Sequence, residues 1–375
     1  MAGIYIHIPF CKQACYYCDF HFSTSGKLRE EMVASIISEL SLRREYLETE
    51  TVETIYFGGG TPSLLSPEEL SQIIEAIYKN FTLIPQPEIT LEANPDDLSF
   101  TYLKGLHQIG INRLSIGIQS FFEKDLKLLH RAHDREQAFN AVENARKAGF
   151  NNLNLDLIYA MPQSSNEEWE ENLALMMKLR PAHLSAYALT IEEKTVFGNW
   201  YRKGKIRPVD EDKAADQLEI LINTTANHGY EHYEVSNFCL PGLESKHNSS
   251  YWLQKKYLGI GPGAHSYNHQ ERHFNIANNA KYVKAIKEGQ LPLDGEVLSR
   301  EDLINEYIMT RLRTKWGCDL GHLQNHLNFD LSREHGAYLQ KLEKDHFLEK
   351  QGDVLFLTSK GKMIADQITE HLFLM

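Results

Sequence analysis

The chain reads as an α/β protein: a barrel or open partial barrel of parallel strands, then a small, mostly helical region that ends in a hairpin. Three observations predict this. Short β-rich runs alternate six times with amphipathic helical segments, the pattern of strand–helix units in a parallel sheet. A turn-rich connector near 286–296, with Gly289, Pro292 and Gly295, divides residues 1–290 from 291–375. The length of 375 residues, 42% apolar, suits one large unit plus a small one.

The strand-like runs are GIYIHI (3–8), TIYFG (54–58), EITLEA (88–93), RLSIGI (113–118), NLNLDLIY (152–159) and HLSAYAL (183–189). Between them, segments such as 29–47 and 67–81 carry apolar residues at helical spacing. Ser66-Pro67-Glu68-Glu69 supplies a cap, a proline at the first helical position and acids in the first turn. After the connector come helical segments at 300–313, 319–327 and 332–345, then FLEKQGDVLFLTSKG, a hairpin turning at Gly352. This order resembles a winged helix. Residues 296–375 carry ten Lys/Arg against thirteen Asp/Glu, which favours a packing or lid role over nucleic-acid binding.

The net charge of −12 argues against a phosphate backbone as partner. MAGIYIHIPF has no basic segment or small-residue cleavage site of a secretion signal, and no apolar run approaches the ~20 residues of a membrane span. A reducing cytoplasm is therefore expected, where close-spaced thiols serve metals or redox chemistry rather than disulfides.

Three of the five cysteines, Cys11, Cys15 and Cys18, follow the first strand as C-x3-C-x2-C. A structural zinc site closes with four ligands, and Cys239, Cys318, His7 or His21 would have to complete it. A [4Fe–4S] cluster held by three thiolates instead leaves one iron open to a ligand. Cys239 and Cys318 themselves read as ordinary small buried residues.

This motif, placed after the first strand of a βα barrel, resembles the radical S-adenosyl-L-methionine (SAM) superfamily. YIHIPFC, GGGTPS, LEANPD, RLSIGIQSF and LDLIYAMP narrow the likeness to the branch that contains oxygen-independent coproporphyrinogen III dehydrogenase and the heme chaperones. The resemblance implies a partial (β/α)6 barrel. It implies a [4Fe–4S] cluster on Cys11, Cys15 and Cys18, with SAM chelating the free iron and one electron cleaving the sulfonium. Active sites of βα barrels lie at the C-terminal strand ends, and the implied SAM residues fall there. Gly59, Gly60 and Thr61 would cradle the methionyl end, and Glu92 would take the ammonium. Gln119 and Asp156 suit the ribose, and Arg131 suits the carboxylate. Tyr5 and Tyr17 would pack near adenine and cluster. GIGPGAHS (259–266) is expected as a tight loop near this site.

Two features separate the enzyme from the chaperone. The dehydrogenase has a further cysteine two residues after the third cluster cysteine, where this chain has Phe20, and a long segment before the first strand, where this chain has three residues. HNSSYW (247–252) matches the H-N-x-x-Y-W signature of the heme chaperones, with His247 as the expected heme ligand. A structural histidine in a capped loop is the alternative reading. The resemblance thus implies heme as bound cargo and heme-requiring respiratory proteins as recipients, membrane-associated ones among them. The machinery for reductive SAM cleavage is expected to be retained. Coproporphyrinogen III oxidation is the alternative function.

Overall fold

The computed structural model describes residues 1–374. Six strands form its centre: β1 (Ala2–Ile8), β2 (Val52–Gly59), β3 (Leu83–Ala93), β4 (Arg113–Gln119), β5 (Asn152–Tyr159) and β6 (His183–Ala188). They pair in parallel and in chain order, with helices such as Arg29–Leu42 and Pro67–Asn80 between them. The Ser66 cap is present as a full capping box with Glu69.

Alternation along these strands builds two chemistries. Ile4, Ile6, Ile55, Phe57, Leu91, Leu114, Ile116 and Leu155 are fully buried in a core shared with helix residues such as Ile36, Ile77 and Leu173. The intervening residues face the barrel interior and are largely polar. Parallel strands flanked by helices must bury one face in this way.

The sheet is larger than the sequence predicts. Six further strands extend it: β7 (Glu231–Glu234), β8 (Asn237–Cys239), β9 (Tyr257–Ile260), β10 (His265–Tyr267), β11 (Glu271–Asn275) and β12 (Leu293–Val297). The order is β12-β11-β10-β9-β1-β2-β3-β4-β5-β6-β8-β7, so the barrel is open. β9 joins β1 in parallel, while β10 to β12 and β7 to β8 pair antiparallel. β12 lies inside the segment expected to be a connector. It is hydrogen-bonded to β11, which keeps residues 293–297 with the large sheet rather than with the C-terminal region.

A second apolar core holds Ile304, Ile308, Leu323, Leu339, Leu355 and Ile368. It is built from helices Arg300–Leu312, Leu320–Leu327 and Leu331–Lys344, with β13 (Cys318–Asp319), β14 (Leu348–Gln351) and β15 (Val354–Leu357). The sheet order β13-β15-β14 and the hairpin turning at Gly352, φ +61°, give the expected winged-helix-like arrangement. Given the two cores, we propose that the units divide after Val297 rather than at 290. Among the described residues no helix is long and apolar enough to cross a membrane.

Candidate functional site

The C-terminal ends of β1 to β6 surround a cavity of about 600 Å³. Cys11, Cys15, Cys18, Tyr17, Gly59, Gly60, Thr61, Glu92, Gln119, Arg131 and Asp156 all line it. The structure thus brings together eleven residues from five strand ends.

The cysteine loop after β1 is held on several sides. Cys11 N–H donates to Ser23 O at 3.0 Å and Ser23 N–H to Pro9 O at 2.9 Å, closing its base. Tyr16 stacks on His130, centroids 4.4 Å apart, and meets Trp200 edge-on. Gln13 Nε2 donates to His130 O at 2.7 Å. Lys12 bridges Asp96 and Asp97. The loop is therefore shaped before any ligand binds, which lowers the ordering cost of holding one.

All three thiols are free and partly exposed. Burial pushes Cys18 up to about 11 and also raises Cys11. Thr61 Oγ1 donates to Cys11 Sγ at 3.4 Å, and Arg131 Nη1 to Cys15 Sγ at 3.5 Å. A half-buried thiolate needs positive charge, and donors already aimed at sulfur suit one. Among the described residues no three His, Cys, Asp or Glu side chains converge on a single ion. Thiolates that bind three different irons of one cubane stand further apart than three ligands of one zinc. Cys239 and Cys318 lie elsewhere, fully buried, with burial pushing both up to about 12. His7 and His21 are engaged with His21 O and Asn279 respectively. The three free thiols, with no fourth cysteine beside them among the described residues, fit a three-thiolate cluster.

Gly59 and Gly60 press the β2 turn against the cysteine loop. A Cβ on Gly59, φ +105°, would lie 2.5 Å from the His7 ring, and one on Gly60 would lie 2.7 Å from Phe10 O. Gly60 and Thr61 N–H groups are spent on Ile8 O and Phe10 O, so their part in a cradle is shape rather than donation.

Glu92 accepts from Tyr56 Oη at 2.8 Å and from Gly59 N–H at 3.2 Å. Burial pushes it up to about 7, and pushes Asp156 up to about 6. Two half-buried acids on the cavity wall without a paired cation suit a cationic ligand. Arg131 enters from a left-handed turn at His130, φ +58°. Its Nη2 donates to Asn94 Oδ1 at 2.5 Å and to Gly117 O at 3.0 Å, while Nε is buried without an acceptor. An unspent guanidinium nitrogen suits a carboxylate.

Two expected residues are not on the cavity wall. Tyr5 lies behind Tyr56, its hydroxyl 3.2 Å from His7 Nδ1. His247 is 1% exposed on helix Lys246–Trp252, which fills the barrel floor. Both of its ring nitrogens are engaged, Nδ1 with Thr54 Oγ1 at 2.7 Å and Nε2 with Tyr251 Oη at 2.9 Å. Burial lowers it to about 3. Asn248, its neighbour in HNSSYW, is the motif residue that reaches the cavity. GIGPGAHS packs behind the cysteine loop, where Gly261 and Gly263 approach His7 and His21.

Sequence reading missed Tyr56, Asn94, Ser115, Asn154, Ser185 and Tyr187, all on the wall. Tyr56 and Asn94 sit two or three residues from Gly59 and Glu92. Inward alternation reaches Asn94 from Glu92, Ser115 from Gln119 and Asn154 from Asp156; Tyr56, Ser185 and Tyr187 have no expected site residue two or four positions away on their strand.

The chain matches the Radical SAM superfamily over residues 5–176 and the HemN C-terminal domain over 298–364. It is 37% identical to heme chaperone HemW of Lactococcus lactis over 371 residues, 99% of this chain and 97% of that protein. It is 33% identical to heme chaperone HemW of Bacillus subtilis, covering 98% of each. Coproporphyrinogen III oxidase HemN of Escherichia coli, a radical SAM enzyme, superposes with a TM-score of 0.85 at 23% identity, over 99% of this chain and 90% of that one, and shows the shared fold. With the cavity, the three-cysteine loop and relatives aligned end to end, the chain belongs to the radical SAM superfamily and, within it, to the heme chaperone HemW family.

Proposed function

We propose that this chain binds heme and delivers it to heme-requiring respiratory proteins, membrane-associated ones among them, from a cytoplasmic location. In this reading Cys11, Cys15 and Cys18 hold a [4Fe–4S] cluster beside SAM. Arg131 takes the carboxylate of SAM, Glu92 the ammonium, Gln119 and Asp156 the ribose, and the Gly59–Thr61 turn shapes the methionyl end. When bound, the cluster supplies an electron for reductive cleavage of the sulfonium. The protein's own part is to hold those ligands, to keep the carboxylates charged and to brace the cysteine loop with the Tyr16–His130 stack.

One observation favours chaperone over oxidase: the charge of the cavity. Coproporphyrinogen III carries four propionates. The cations on the cavity wall are Lys12 and Arg131; the first is bridged to Asp96 and Asp97, the second bonded to Asn94 and Gly117. Asp19, Glu92, Asp156 and Glu192 line the same wall. Such a wall repels a tetra-anion. Phe20, 72% exposed at the mouth, offers neither a proton nor a ligand where the oxidase branch has a thiol.

The test is anaerobic reconstitution followed by two assays. Heme titration should give a Soret band at one heme per chain or more. Coproporphyrinogen III with SAM and a reductant should yield no protoporphyrinogen IX; its accumulation would restore the oxidase reading.

A further inference from the structure

Below the cavity lies a charge that none of the roles above uses. The inward residues of β4 are Arg113, Ser115, Gly117 and Gln119. The last three line the cavity, and Arg113 lies one step beneath them, 1% exposed. Its partners in register are Thr90 on β3 and Asn152 on β5. Each of the three has a buried polar atom that no protein group satisfies: Thr90 Oγ1, Asn152 Oδ1, and Arg113 Nε and Nη2. Three adjacent strands thus carry unspent polar groups in one row.

Glu92 stands one inward step above Arg113, and Asp156 two steps above, beyond Asn154. Glu92 pairs in register with Ser115, and Asp156 with Ser185. Neither is hydrogen-bonded to Arg113, yet its charge pulls both of their pKa values down. The same charge adds to burial in lowering His183 and His247, which flank it from β6 and the floor helix. An arginine stays protonated at any pH a protein tolerates. A buried charge not consumed by a direct ion pair acts over a longer range than one at the surface.

We propose that Arg113 is a positioning residue, the fixed positive charge beneath the cavity that keeps Glu92 and Asp156 ionised for a cationic ligand and so sets the lowest pH at which SAM is held. This rests on the SAM reading above. The other groups facing the two acids do not replace it. Tyr5, Tyr56 and Tyr251, from β1, β2 and the floor helix, are neutral phenols that burial, the first cause for each, holds above their usual range, and Tyr187 on β6 is a partly exposed phenol. Cys11 faces Glu92 from the cysteine loop, and the two acids oppose each other. Arg131 also acts on Asp156; in the SAM reading its charge faces the ligand's carboxylate, while its Nη2 is bonded to Asn94 and Gly117.

The sign follows. Burial already raises Glu92 to about 7 and Asp156 to about 6, against the pull of Arg113. Without that pull both rise further, so the acids reprotonate, and a cation is released, at higher pH. The experiment is equilibrium binding of SAM to the anaerobically reconstituted full chain between pH 6 and 9, for wild type, Arg113→Gln, Arg113→Met and Arg113→Lys. We expect either neutral variant to lose affinity about tenfold near pH 7, to converge on wild type toward pH 9, and so to move the binding midpoint up by roughly one unit. Arg113→Lys should restore the wild-type profile. A loss of affinity equal at every pH, or no loss, would overturn the proposal, because a structural role lowers thermal stability without moving the midpoint. Wild type that fails to bind SAM at any pH would overturn the SAM reading, and this inference with it.

Discussion

The outer and inner faces of β1 to β6 are made from alternate residues of the same strands, yet they obey different rules. On the outer face Ile6, Phe57, Leu91 and Leu155 pack against helices, and any side chain of similar size and polarity would serve. On the inner face Tyr56 and Asn154 are buried and Glu92 and Asp156 half-buried, all polar, and each is placed by a named partner. Burial on one face yields stability; on the other it perturbs pKa values and keeps hydrogen-bonding groups unspent, which is the condition for binding a charged ligand.

Substitutions can break that division in order of size. The largest effect belongs to the inner rim: Cys11→Ala, Cys15→Ala or Cys18→Ala should abolish iron incorporation, about four irons per chain in the wild type. Cys239→Ala and Cys318→Ala should leave the iron content unchanged; iron loss in either would mean that the cluster has a fourth protein ligand. Next is the outer face. Phe57→Ala should cost about 3–5 kcal/mol of stability in denaturant titration by leaving a cavity among the helices. SAM affinity of the folded fraction should be retained, and a parallel loss would show that the faces are coupled.

Arg131→Ala comes third. Removing a charge-assisted contact should weaken SAM binding by about 1.5–3 kcal/mol, read by equilibrium binding or by the perturbation of the reduced cluster's EPR spectrum. Unchanged affinity would strike Arg131 from the ligand set. The smallest effect, about 1–3 kcal/mol, is expected for His247→Ala, which leaves Thr54 and Tyr251 unpaired in the barrel floor. It should lower the melting temperature and leave the heme spectrum as it is. A changed Soret band with an intact cluster would make His247 the heme ligand after all and require the floor helix to open.

Much of this site was legible from residue order. The C-x3-C-x2-C spacing, the glycines at 58–60 and the acids closing the third and fifth strands all depend on short stretches whose geometry is local. The winged-helix-like order of the C-terminal region was readable for the same reason, since its helices announce themselves by period and cap. His247 shows the opposite case. The motif HNSSYW located a segment that reaches the cavity through Asn248, but the direction of the imidazole is decided by Thr54 and Tyr251, and by the stack on Tyr56, 5.0 Å away.

By itself, then, the sequence determined the parallel sheet, the thiolate loop and the set of strand ends from which ligands must be held, because alternation, spacing and capping act between neighbours in the chain. Tertiary structure alone decided the rest. β8 has three residues and β10 has three, too few to carry a pattern; they are strands because β6 and β11 supply their hydrogen bonds. Arg113 reads in sequence as one more charged residue beginning a strand. Only the closing of β3 and β5 around it turns that charge into a buried one, and burial, a property of the whole sheet, gives it reach over Glu92 and Asp156.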